Sequence, residues 1–135
     1  MHPWIVVPLW ACLAPPSSPV RSDDRRISRE EATELVYKAI DRQPVTRLPG
    51  FGLEPLSMPN FPQFYFFEGT WNNSKPGSGV SGHWAVDART GDVWEPFSCK
   101  LLSSPGLRSE LARIRREKNI LPRDVRRARR DKPCF

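Results

Sequence analysis

The sequence predicts an α+β domain in which an N-terminal helix packs on a three- to four-stranded antiparallel meander, followed by a C-terminal basic helix. Three observations carry this prediction. Residues 28–40, SREEATELVYKAI, join a helix-capping signature to apolar residues at helical spacing. Residues 64–97 hold three short aromatic and β-branched runs separated by turn sequences. Residues 104–119 open with Ser104-Pro105 and set Leu107, Leu111 and Ile114 on one helical stripe.

In the first helix Ser28 and Glu31 form the S-x-x-E capping box, in which the hydroxyl accepts from the third helical amide and the carboxylate accepts from the cap amide. Ala32, Leu35, Val36, Ala39 and Ile40 recur at i, i+3, i+4, i+7 and i+8 and therefore share a face. Glu30 and Glu31 at the start and Lys38 and Arg42 near the end match the helix dipole. A helix of about 13 residues is marginal alone in water, so this stripe requires a partner surface.

Residues 43–63 contain Pro44, Pro49, Pro55, Pro59 and Pro62 with Gly50 and Gly52, and read as a long connection wrapped over the core edge by Leu48, Phe51, Leu53 and Leu56. Residues 64–71, FYFFEGTW, read as a strand and run into the turn-rich stretch up to Gly82. Residues 83–88 form a second strand and Val93 to Phe97 a third, joined by a tight turn in which Gly91 supplies positive φ. Alternation puts Trp84, Val86 and Ala88 on one face and His83, Ala85 and Asp87 on the other. Asn119 is the stop signal of the basic helix. Residues 121–135 read as a basic tail, too charged to build a core, with Val125 and Ala128 allowing a short helical turn after Asp124.

A length of 135 residues leaves room for one domain and appendages, which excludes multidomain enzymes. The apolar run Trp4 to Ala14 is interrupted by Pro8 and falls short of the roughly 18–20 residues a membrane-spanning helix needs. Charge is uneven: residues 1–20 carry none, 21–42 balance six against six, 43–99 carry three positive and five negative, and 100–135 carry twelve positive and four negative. The overall +6 is therefore a property of the C-terminal quarter, and the middle of the chain is slightly acidic.

Residues 1–22 read as an export-like leader and spacer, residues 25–120 as a single α+β domain. Small residues near Ala14 suit cleavage; alternatively Leu9-Trp10-Ala11-Cys12 resembles a lipobox, with Cys12 as the lipidation candidate, and a plain apolar tail is the third reading. Once Cys12 is removed or lipidated, Cys99 and Cys134 remain as an even pair able to form a disulfide in an oxidising compartment, or two free thiols in the cytosol. Neither a C-x-x-C spacing nor a neighbouring His pair is present, so no metal site is expected.

A helix, a long connection and a meander whose middle turn reads VDARTGDVW together resemble the PepSY-like domains. The matching pieces are Ser28 to Ile40, with its REEA start, and the strand-turn-strand from Trp84 to Trp94, roughly half of the chain. The resemblance implies a small exported α+β module with a noncatalytic binding or inhibitory role in the cell envelope, and it carries over no catalytic residue.

Two histidines, His2 and His83, limit acid–base chemistry; His83 stands on a strand with Glu68, Asp87 and Cys99 as candidate neighbours, and a Glu/His pair on a sheet face is the acid–base arrangement such a strand could offer. The glycines of GSGVSG at 77–82 precede a strand rather than a helix, so they serve a hairpin and not a phosphate loop, and no cofactor is expected. The function expected is a noncatalytic exported or envelope-associated binding module, inhibitory or immunity-type, engaging a protein or peptide through exposed sheet residues and the 71–82 hairpin, with Trp71 and His83 as contacts. The alternative is a basic nucleic-acid-binding protein in the cytoplasm, with Arg113, Arg116, Arg126 and Arg127 on phosphates. No aromatic residue interleaves with these arginines, which disfavours single-strand stacking. A membrane surface is a third partner, through a lipid anchor or the basic tail.

Overall fold

A computed structural model describes residues 14–16, 25–72 and 79–135. The chain runs α1 (Arg29–Ile40), a 3₁₀ turn (Pro44–Arg47), β1 (Gly52–Leu56), β2 (Phe64–Thr70), β3 (Val80–Asp87), β4 (Val93–Glu95), β5 (Lys100–Leu101), α2 (Pro105–Glu117) and α3 (Pro122–Ala128). The five strands pair in chain order, each antiparallel to the next. The fold is α+β, with one helix before the sheet and helices after it.

α1 begins where its capping box forms: Glu31 N donates to Ser28 Oγ at 3.1 Å and Ser28 N to Glu31 Oε1 at 3.0 Å. Its stripe of Ala32, Leu35, Val36, Ala39 and Ile40 is buried with Leu107, Leu111 and Ile114 of α2 against Phe67, Trp84, Val86 and Val93 of the sheet. α2 opens on Ser104, whose hydroxyl accepts from Leu107 N at 3.1 Å. It ends in a left-handed Asn119 (φ 56°), with Ile120 N returning to Arg115 O at 2.8 Å and Asn119 N to Arg116 O at 3.3 Å, a Schellman closure that drives Ile120 into the core. In the β3–β4 turn Gly91 sits at φ 81°, and a Cβ there would lie 2.8 Å from Leu111 Cδ2. Gly69 and Gly82 are register partners beneath the Trp84 ring, which a Cβ on either would meet at 2.8 Å.

Three features depart from the sequence reading. The connection at 43–63 contains a strand, β1, despite Pro55; as an edge strand it pairs only with β2, so one missing N–H costs it little. The third strand stops at Glu95 because Pro96 follows and the Glu95 carboxylate accepts from the amides of Phe97 (3.3 Å) and Ser98 (2.8 Å), folding the chain toward the two-residue β5. The expected tail at 121–135 contains α3 and is packed on the domain. Pro122 occupies its first turn, Asp124 accepts from Leu121 N at 2.8 Å, and Val125 and Ala128 are buried. Residues 1–13, which include the Cys12 candidate, lie outside the described residues. Among the described residues no helix is long and apolar enough to cross a membrane.

Candidate functional site

Alternation gives the sheet two chemically different faces. One is covered by α1 and α2; the other carries no helix. Across the second face one register row runs Leu56, Phe66, Ala85, Trp94, Leu101, contributed by all five strands in turn. Phe66, Ala85 and Trp94 are buried there, packed against Met58 and Phe61 of the β1–β2 connection and Phe64. The next row on the same face runs Glu54, Glu68, His83. It joins two carboxylates directly opposite each other, an arrangement that disfavours pairing, to an imidazole whose Nε2 is 3.6 Å from Glu68 Oε2.

The chain's C-terminal residues reach this face through a disulfide between Cys99 and Cys134, whose Cα atoms are 5.2 Å apart. Phe135 follows immediately, donates its N–H to Pro96 O at 3.4 Å, and stacks on Phe66 with ring centroids 6.1 Å apart. Phe97 meets Phe135 edge-on at 5.0 Å and His83 at 5.1 Å. Phe97 and Phe135 are nevertheless 61% and 53% exposed, so two adjacent aromatic rings stand in solvent on a rigid base. Burial raises the Glu95 pKa, but hydrogen bonds from the Ser98 hydroxyl and from the Ser98 and Phe97 amides, with the nearby His83, outweigh it and hold the carboxyl below its ordinary value. The Phe97 ring thus stands beside Glu95 and, across His83, Glu68.

The basic residues gather elsewhere, and the β3–β4 turn organises them. Asp92, 2% exposed, accepts from Arg115 Nη2 (2.8 Å) on α2 and from Arg129 Nε (2.8 Å) and Nη2 (3.1 Å) just beyond α3. Arg115 Nε also donates to Thr90 O at 2.9 Å. Asp87, equally buried, accepts from Arg89 Nε (2.9 Å) and Nη2 (2.8 Å), and Arg89 Nη1 continues to Asp131 at 2.8 Å. These two carboxylates staple the C-terminal helices to the turn. Between α2 and α3 they leave a cleft of about 480 Å³ lined by Ala112, Arg115, Arg116, Ile120, Pro122, Val125, Arg126 and Arg129.

Of the residues the sequence singles out, Cys99 and Cys134 are joined. His83 lies on the helix-free face. Trp71 is partly buried at the mouth of the β2–β3 hairpin, its N–H donating to Gly79 O at 2.9 Å, while hairpin residues 73–78 fall outside the described residues. Arg116 and Arg126 line the cleft, and Arg127 is exposed on α3. Arg113 is instead paired on the exposed side of α2 with Glu110 and with Glu117 (2.9 Å), which raises its pKa further and lowers that of Glu110. His83 and the arginines occupy different elements and form no common site. Missed by the sequence reading are Phe97 and Phe135 as exposed neighbours and Asp92 as the anchor of two arginines; two aspartates flanking a tight turn in an otherwise apolar hairpin were the available signal. Among the described residues no cluster of three or more His, Cys, Asp or Glu side chains is placed to share a metal ion.

No protein-family model and no curated protein sequence matches the chain. Among solved structures, it is similar to a chain in the structure of a type VI secretion system effector–immunity complex from Pseudomonas protegens, at 28% identity and a TM-score of 0.67. That likeness spans 84% of this chain and 94% of the other.

Proposed function

We propose that this chain is an exported, noncatalytic binding module of the immunity type, which binds a protein toxin and neutralises it through the helix-free sheet face. The observation that carries the reading is the likeness to a chain of an effector–immunity complex over nearly that chain's whole length. The surface supports it. Exposed Phe97 and Phe135 are large, rigid anchors of the kind that dominate binding energy at protein interfaces. They are fixed by a disulfide, which favours an oxidising compartment and agrees with the export-like leader. The PepSY-like pattern points toward the same class. An immunity role is preferred to an effector role because the described buried carboxylates, Asp87 and Asp92, are engaged by arginines, and His83 lies among Glu68, Glu95 and Phe97 on the exposed sheet face rather than in a closed pocket.

The test is capture followed by rescue. Full-length protein recovered from its native host is expected to bring down one protein that arrests growth when produced alone and ceases to do so when this chain is co-produced in the same compartment. A captured partner that is harmless, or whose toxicity is unchanged by co-production, overturns the proposal.

A further inference from the structure

The arginine-lined cleft between α2 and α3 plays no part in the sheet face, and its construction is unusual for a solvated basic surface. Two of its four arginines are immobilised: Arg115 and Arg129 both grip Asp92, and their side chains are only 21% and 42% exposed. Two guanidinium groups on one carboxylate leave a surplus positive charge at a fixed position. Arg116 and Arg126, which complete the rim, are exposed and have no carboxylate partner among the described residues. The cleft thus collects four cations against one anion, a concentration of like charge that lowers stability until a counter-charge arrives. Arg113 on α2, by contrast, is held between Glu110 and Glu117.

The floor is apolar. Ile120 and Val125 are nearly buried, with Ala112 and Pro122 beside them. A volume of about 480 Å³ holds one or two side chains or a small ligand, and none of the lining residues is aromatic, which disfavours the stacking of bases. Guanidinium groups held in place bind carboxylates by paired, charge-assisted hydrogen bonds without first losing side-chain freedom.

From this cleft we infer that the chain receives a carboxylate-bearing segment of its protein partner, one in which an apolar side chain lies next to the acid and fills the floor. The inference deepens the proposed function by stating the chemistry of the partner's contacting segment, and it rests on that reading for the partner's identity. It predicts an interface with two poles, an aromatic anchor on the sheet and an anion clamp on the helices.

The experiment uses full-length ¹⁵N-labelled protein titrated with hexaglutamate, then with inorganic phosphate and with a short DNA duplex at matched concentrations. Hexaglutamate is expected to bind in the millimolar range and to shift signals of Arg115, Arg116, Arg126 and Arg129 preferentially. The double substitution Arg116→Glu/Arg126→Glu, at two exposed positions, should weaken that binding at least tenfold while the melting temperature holds or rises, because like charge is relieved; Arg116→Gln/Arg126→Gln serves as the milder variant. Shifts spread evenly over Arg108, Arg123, Arg127 and Arg130, or a DNA duplex that binds the same residues more tightly than the peptide, overturn the inference. With the captured partner in hand, the Glu variant should lose affinity at least tenfold. Unchanged affinity there would sink the clamp while leaving the toxin-neutralising reading intact, and because the peptide titration needs no partner, the two failures are separable.

Discussion

Replacing both Cys99 and Cys134 by serine removes a cross-link across a sequence separation of 35 residues, a loop that contains all of α2 and α3. In the chain-entropy treatment, closing a loop of that length restricts the denatured state by about 3.8 kcal/mol at 25 °C. Release of Phe135 from Phe66 and Phe97 adds less than about 1 kcal/mol, because the ring is half exposed already. The expected loss is therefore about 4 kcal/mol, a large share of the roughly 5–15 kcal/mol that holds a domain together. At about 4 °C per kcal/mol for a domain of this size, the melting temperature should fall by about 15 °C. Urea unfolding of oxidised wild type, dithiothreitol-treated wild type and Cys99→Ser/Cys134→Ser provides the measurement, and the last two should coincide. A loss below about 1 kcal/mol would refute the reasoning, since it would mean that the reduced denatured chain already keeps these helices near the sheet.

Asp92→Asn should cost about 2–3 kcal/mol and expose α3 first, because two guanidinium groups lose a nearly buried counter-charge; amide exchange at Val125 and Ala128 reports it. Folding holds the Glu31, Glu95 and Glu110 carboxyls below their ordinary value of 4.5; burial opposes the shift at Glu31 and Glu95, and hydrogen-bonding and ion-pair partners produce it. Their stabilisation is accordingly complete above that value and is lost as pH falls through the folded pKa values. Melting temperature should be flat above about pH 5 and decline below it, with a shallower decline in Glu31→Gln. Phe97→Glu/Phe135→Glu should leave the melting temperature within a few degrees of wild type and weaken partner binding at least a hundredfold, read by calorimetry; a loss of less than tenfold would remove the sheet face as the anchor.

Much of the fold was legible because its signals are local. The capping pair Ser28 and Glu31 and the stripe from Ala32 to Ile40 sit within one short segment, and the two faces of β3 follow from alternation alone. β1 was not legible, since its Gly52 and Pro55 mask a strand that needs only one neighbour to form. The helical turn of α3 was expected, but its docking on the domain was missed for another reason. Its burial amounts to Val125 and Ala128, and the forces that hold it come from residues distant in sequence: Asp92, 37 positions before Arg129, and Cys99, 35 before Cys134. Charge reads as exposure in a sequence, so Asp87 and Asp92 pass for solvated turn residues until the arginines fold back on them. The cysteine pairing was legible by counting, whereas the exposed contact of Phe97 with Phe135 is a product of that pairing and of the Glu95 turn.

The period-two alternation along β2 and β3 separates the residues of the helix-side core from those of the helix-free face, where Phe66 and Ala85 are buried and Glu68 and His83 reach solvent. Phe67, Trp84 and Val86 point toward the helices, and the neighbouring positions Glu68, His83 and, past β4, Phe97 point away from them. Recognition can therefore diversify at one set of positions while the core stays fixed at the other. A designer can therefore vary Glu68, His83 and Phe97 for binding while leaving the helix-side core of Phe67, Trp84 and Val86 untouched.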